Sequence, residues 1–119
     1  KERAEADSLT VQNVEKHVDL HPDDGRALAF GAYALVELGQ IERAREWAQR
    51  ALEADKDEPA IIYNVACMFA QLGELDEAID LLNRSISQGY GHRAWLEHDA
   101  DLKPLRGHKR FQELLDRMD

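Results

Sequence analysis

A seven-residue phrase occurs twice in this chain, 34 residues apart. Leu38-Gly39-Gln40-Ile41-Glu42-Arg43-Ala44 returns as Leu72-Gly73-Glu74-Leu75-Asp76-Glu77-Ala78. The flanks keep the register: Leu28 falls on Ile62, Ala32 on Ala66, Leu35 on Phe69, Trp47 on Leu81, Ala48 on Leu82 and Leu52 on Ile86. Gly107 stands the same distance beyond Gly73. A fixed period of this length marks a repeat architecture, in which each unit buries its apolar face against a neighbour.

Each copy reads as two helices around a tight turn. In the first, Leu28, Gly31, Ala32, Leu35 and Leu38 recur at three- and four-residue steps and share one helical face. Gly39 stops that helix, because the residue past a helix end often adopts a left-handed conformation that only glycine takes cheaply. Ile41, Ala44, Trp47, Ala48, Ala51 and Leu52 carry the second helix on the same spacing. Ala44 and Ala78 fall one turn past the glycines, where two antiparallel helices approach most closely. A larger side chain there would overpack the contact, at about 1–3 kcal/mol.

Units of this period, with Leu-Gly at the turn and Ala five residues after the Gly, resemble tetratricopeptide repeats. The two full copies carry the resemblance. It departs from the family pattern at Ala32 and Ala66, where a glycine is common, and at Lys56 and Tyr90, where a proline is expected as at Pro22. The resemblance implies an all-α, right-handed α-solenoid of antiparallel helix pairs. The chain is then one domain over 1–119: a half-repeat helix at 1–22, repeats at 25–58 and 59–92, and a degenerate closing repeat at 93–119.

The junctions fit this division. Pro22 ends the opening helix, and Asp23 or Asp24 caps the next. Pro59 suits the first position of a helix, where its missing amide hydrogen is not needed. Gly89 and Gly91 break the helix before His92. Shifted back one period, Val14 and Val18 of the opening helix match Ala48 and Leu52. Its partner helix is expected upstream, which would leave Val11, Val14 and Val18 as an uncovered apolar stripe. Such an end frays or pairs as a weak homodimer through the N-terminal helix, held back by Lys16 and the acidic Glu2, Glu5, Asp7 and Glu15, which narrow the stripe and add like-charge repulsion.

In the tail, Trp95 and Leu96 open a helix that Asp99-Ala100-Asp101-Leu102-Lys103-Pro104 interrupts. Phe111, Leu114, Leu115 and Met118 mark a final amphipathic helix. The run from Trp95 to Leu102, followed by Pro104-Leu105-Arg106 and Arg110-Phe111-Gln112-Glu113-Leu114-Leu115, resembles the closing segment of repeat arrays in bacterial signalling proteins. Ala100 and Lys109 stand where that segment usually has Pro. Such arrays accompany nucleotidyl-cyclase or serine/threonine-kinase domains, among others.

A net charge of −9 disfavours nucleic acid and anionic membrane surfaces as partners. No apolar run approaches membrane-spanning length, so no membrane insertion is expected. The single cysteine, Cys67, excludes an internal disulfide and fits a reducing, cytoplasmic setting. The chain begins without a methionine inside charged helical sequence, which reads as a fragment of a longer protein.

Chemistry is sparse. Glu97-His98-Asp99 with Asp101 is the one cluster reminiscent of a metal or acid–base site. It lacks a second His or Cys at ligand spacing, so Asp99 and Asp101 read as helix caps. His17, His21, His92 and His108 are scattered over junctions. Phosphate loops, nucleophile elbows and paired-Cys motifs are missing. The expectation is therefore a chain with no enzymatic activity, no cofactor and no metal.

A surface is what remains. The resemblance places the first helix of each repeat on a concave side, and gives Arg26, Phe30, Tyr33 and Glu37 from the first copy. Tyr63, Asn64, Cys67 and Gln71 follow from the second. Aromatic rings among amides and carboxylates suit a protein or peptide ligand, either an extended segment or a helix. The carboxylate clamp known in the family needs Lys, Arg and Asn. Only Asn64 matches, with Ala29 and Tyr33 at the other places, so capture of a terminal carboxylate is not expected. The reading is a non-catalytic protein–protein interaction module, the regulatory or scaffolding C-terminal part of a larger bacterial signalling protein. Its alternatives are a regulatory fragment of an enzyme with its active site upstream, and a module for self-association.

Overall fold

The computed structural model describes residues 2–118; Lys1, where the half-repeat was expected to start, and Asp119 lie outside the described residues. The fold class is all-α. Seven α-helices and one 3-10 segment follow in order: α1 Glu2–Leu20, α2 Gly25–Glu37, α3 Ile41–Ala54, α4 Pro59–Gln71, α5 Leu75–Ser87, α6 Arg93–His98, the 3-10 segment Ala100–Leu105 and α7 Lys109–Asp116. Among the described residues no helix is long and apolar enough to cross a membrane. The chain divides into two compact units, Lys1–Lys56 and Asp57–Asp119.

In the first unit α2 and α3 form a helical hairpin. Gly39 takes φ +80° and reverses the chain between them, and a Cβ there would touch nothing within 4 Å. Leu28, Ala32 and Leu35 of α2 are buried together with Ala44, Trp47, Ala48 and Ala51 of α3. Burial of each leucine-sized side chain contributes about 1.5–3 kcal/mol. Ala44 is fully covered, as its place one turn past the glycine requires. Gly31 matters for space: a Cβ on it would lie 2.3 Å from a ring carbon of Trp47 and 3.0 Å from Val14. One period on, the same two positions are Val65 and Leu81, both buried. The copies thus exchange a small residue facing a large one for two of middle size, which conserves volume.

The opening helix does not leave its stripe open. Val11, Val14 and Val18 are buried, and α1 packs along α2. This corrects the expectation of an uncovered stripe. The valines sit three and four residues apart on the face that α1 turns toward its neighbour in the chain, with Val14 against Gly31. The weak homodimer was argued from that stripe and loses its basis. At the junction Asp24, not Asp23, is the cap. Its Oδ1 accepts from the Ala27 amide at 3.1 Å, and its Oδ2 lies 2.7 Å from His17 Nε2. The His17 hydrogen bond, followed by the Ala27 amide, holds the Asp24 carboxyl below its ordinary range. At the other end of the hairpin the Gly25 amide donates to Asp55 Oδ2 at 3.1 Å.

The second unit repeats the hairpin with α4 and α5 around Gly73, at φ +82°. Pro59 is the first residue of α4, and the fully buried Ser85 hydroxyl of α5 donates to the Pro59 carbonyl at 3.0 Å. Past Ser87, Gly89 and Gly91 turn the chain at φ +88° and +95°. Leu96, Leu102, Leu105 and Phe111 of the closing segment are fully buried. The final helix stops at Asp116, so Met118 lies beyond it and is only half-buried. Pro104 lies inside the 3-10 segment, whose tighter turn tolerates the ring that would break an α-helix.

Candidate functional site

The eight residues expected on a binding face fall into two sets, one in each unit. On α2, Arg26, Phe30, Tyr33 and Glu37 follow at steps of four, three and four residues and therefore share one stripe. Arg26 and Glu37 are exposed and Tyr33 is half-buried. Phe30 is 67% exposed. An apolar ring between a guanidinium and a carboxylate offers buried area at the centre of a contact and directional hydrogen bonds at its rim.

On α4 an adjoining stripe has an occupant. Tyr63, Cys67 and Gln71 stand four residues apart, and the 3-10 segment packs over them. The Tyr63 hydroxyl donates to Asp99 Oδ2 at 2.6 Å, and Gln71 Nε2 donates to Asp101 Oδ1 at 2.8 Å. Tyr63 and Cys67 are buried, whereas Asn64, one residue off the stripe, is exposed. Burial raises the Tyr63 hydroxyl and the Cys67 thiol well above their ordinary ranges, and the nearby Asp99 carboxylate adds to both shifts. Cys67 is 2% exposed, and its burial disfavours the thiolate.

Three rings gather at the lower end of this stripe. Tyr63 stacks on Trp95 with ring centres 5.0 Å apart, and Tyr90 meets the two at 5.6 and 5.1 Å. Asp99 both caps the 3-10 segment, through the Asp101 amide at 2.9 Å, and accepts from Tyr63. Sequence reasoning found its capping role and missed its partner across the unit. Only Pro104 hinted at this, by ending helical continuation and turning the chain back over α4. Burial raises the Asp101 carboxyl, with Asp99 adding like-charge repulsion, while the Gln71 amide works the other way.

Comparison with known proteins gives two matches of different kinds. The family model described as A/B hydrolase-like, N-terminal domain matches residues 30–119. A TPR repeat-containing protein of Synechococcus elongatus is 27% identical over 81 residues, which cover 65% of this chain and 20% of that protein. The match thus spans about a fifth of the curated relative's length. No solved structure matches significantly.

Proposed function

The chain belongs to the A/B hydrolase-like, N-terminal domain family, and from that membership we propose that it is a non-catalytic protein-interaction module of a larger protein. The observation that carries the reading is Phe30, exposed on α2 between Arg26 and Glu37. The name of the Synechococcus relative supports it, since its repeats are of the kind the 34-residue period resembles. A hydrolase nucleophile sits on a strand-to-helix elbow, and the described residues form helices only. Any hydrolytic chemistry is therefore assigned to a neighbouring domain, and this chain positions or recruits. The family's description favours a hydrolase-like neighbour over the cyclase or kinase that the tail motif brings to mind. A cytoplasmic setting is part of the same reading.

Selection of peptides from a displayed library against the whole chain tests it. Phe30→Ala and Glu37→Lys are expected to weaken the selected binders by about tenfold each, as a central aromatic and its polar rim do in an interface. Both variants should keep the parent's denaturation midpoint, because the two side chains are exposed. Binders that tolerate both substitutions would place recognition elsewhere and overturn the assignment of this face.

A further inference from the structure

Residues 93–106 differ in build from the rest of the second unit. They form a six-residue helix and a six-residue 3-10 segment, each too short for a sustained hydrogen-bond ladder. Glycines bound them: Gly91 at φ +95° before, Gly107 after. They bridge to α4 through two side-chain hydrogen bonds, Tyr63 to Asp99 and Gln71 to Asp101, and through buried leucines. Beyond Gly107, α7 has its own attachments to α5: Arg110 bonds Asp76 and Asp80, Arg117 bonds Asn83, and Phe111 and Leu114 are buried. Cooperative units of a protein open separately where one segment is thinly connected and its neighbours are independently held.

We propose that residues 93–106 are a strap, hinged at Gly91 and Gly107, that opens as a unit from α4 while the α4–α5 hairpin and α7 stay folded. Opening uncovers Tyr63 and Cys67 and frees the exposed Gln71 amide, the positions that match Ala29, Tyr33 and Glu37 of α2 one period earlier. The strap also states what the uncovered face accepts. Tyr63 and Gln71 each donate to a carboxylate, the two carboxylates stand two residues apart, and Leu102 follows them into full burial. A partner for this face therefore carries an Asp-x-Asp-aliphatic pattern, so the strap is a tethered competitor of its own ligand. Only this partner clause rests on the function proposed above.

The single cysteine reports opening directly, since Cys67 is closed to a thiol reagent until the strap lifts. In the full chain, labelling of Cys67 by an aromatic disulfide is expected to proceed with little dependence on low urea concentrations, the mark of a local opening. Tyr63→Phe keeps the ring against Trp95 and removes the bond to Asp99. It should speed labelling about tenfold, with hydrogen exchange of the Ile79 and Leu82 amides unchanged. Labelling that follows the full urea dependence of global unfolding, in the parent and the variant alike, overturns the strap. Asp99→Ala, which loosens the strap but keeps Tyr63 and Gln71 as donors, should label faster too and should bind a synthetic peptide of the sequence Glu97–Arg106 more tightly than the parent does. Accelerated labelling without any peptide binding would overturn the partner clause and leave the strap standing. Neither readout involves Phe30, so failure here is distinct from failure of the α2 face.

Discussion

At Gly39 and Gly73 the backbone conformation, rather than crowding, demands glycine. Both have positive φ, and a Cβ at either would meet nothing within 4 Å. Gly39→Ala and Gly73→Ala are therefore each expected to destabilise by about 1 kcal/mol, the strain of a left-handed alanine. Gly31 is the opposite case, helical in conformation but packed against Trp47, so Gly31→Ala should cost about 1–3 kcal/mol through overpacking. Urea midpoints of the three variants separate the two mechanisms, and Trp47→Leu should relieve the third alone. Two carboxylates differ in sign in the same way. Asp24 is shifted down from 3.8 by His17 and the Ala27 amide. Its contribution is present above that unfolded value and is lost as pH falls through the lower folded one. Asp101 is shifted up from 3.8 by burial. It favours the folded state most below that value and loses this as pH rises through its folded pKa. Acid titration of Asp24→Ala should accordingly show a flatter loss of stability below about pH 4 than the parent.

At the scale of helices, packing and ion pairs make unequal contributions. Arg110 of α7 reaches Asp76 and Asp80 of α5 at 3.0 and 2.5 Å, and His108 stands 3.6 Å from Asp76. All are well exposed to solvent except His108, and such pairs stabilise little and fade with salt. Arg110→Ala is expected to lower the midpoint slightly at low ionic strength and not at all near ~1 M salt. Phe111, on the same helix and fully buried, should cost about 3–5 kcal/mol on replacement by Ala. Calorimetry of the two variants at both salt concentrations decides which holds α7. The N-terminal helix obeys the same hierarchy. Val14 is buried against α2 and Gly31, so Val14→Asp places a carboxylate where it finds no water. The expected result is loss of the protection of helix α1 in hydrogen exchange.

Across the whole chain, a net charge of −9 predicts no electrophoretic shift of duplex DNA at about 0.1 M salt. The all-helical class and the breaks between helices were legible in the sequence, from the turn at Gly39 to the break at Gly89 and the interruption before Pro104. Local rules suffice for these. A positive-φ turn needs Gly, a helix start accepts Pro59 or a capping Asp24, and apolar steps of three and four set the buried faces of the hairpins. The period also located Ala44 and Ala78, both fully buried, because neighbouring helices joined by a short turn have little choice of partner. What covers a face from farther along the chain follows no such rule. The valines of α1 carry the same pattern whether an upstream helix or α2 meets them, and only tertiary packing decided for α2. Tyr63, Cys67 and Gln71 fall on the same helical positions whether they face solvent or a strap. The choice depended on Asp99 and Asp101 arriving thirty or more residues later, where hydrogen bonds and leucine burial outweigh the entropy of closing the loop.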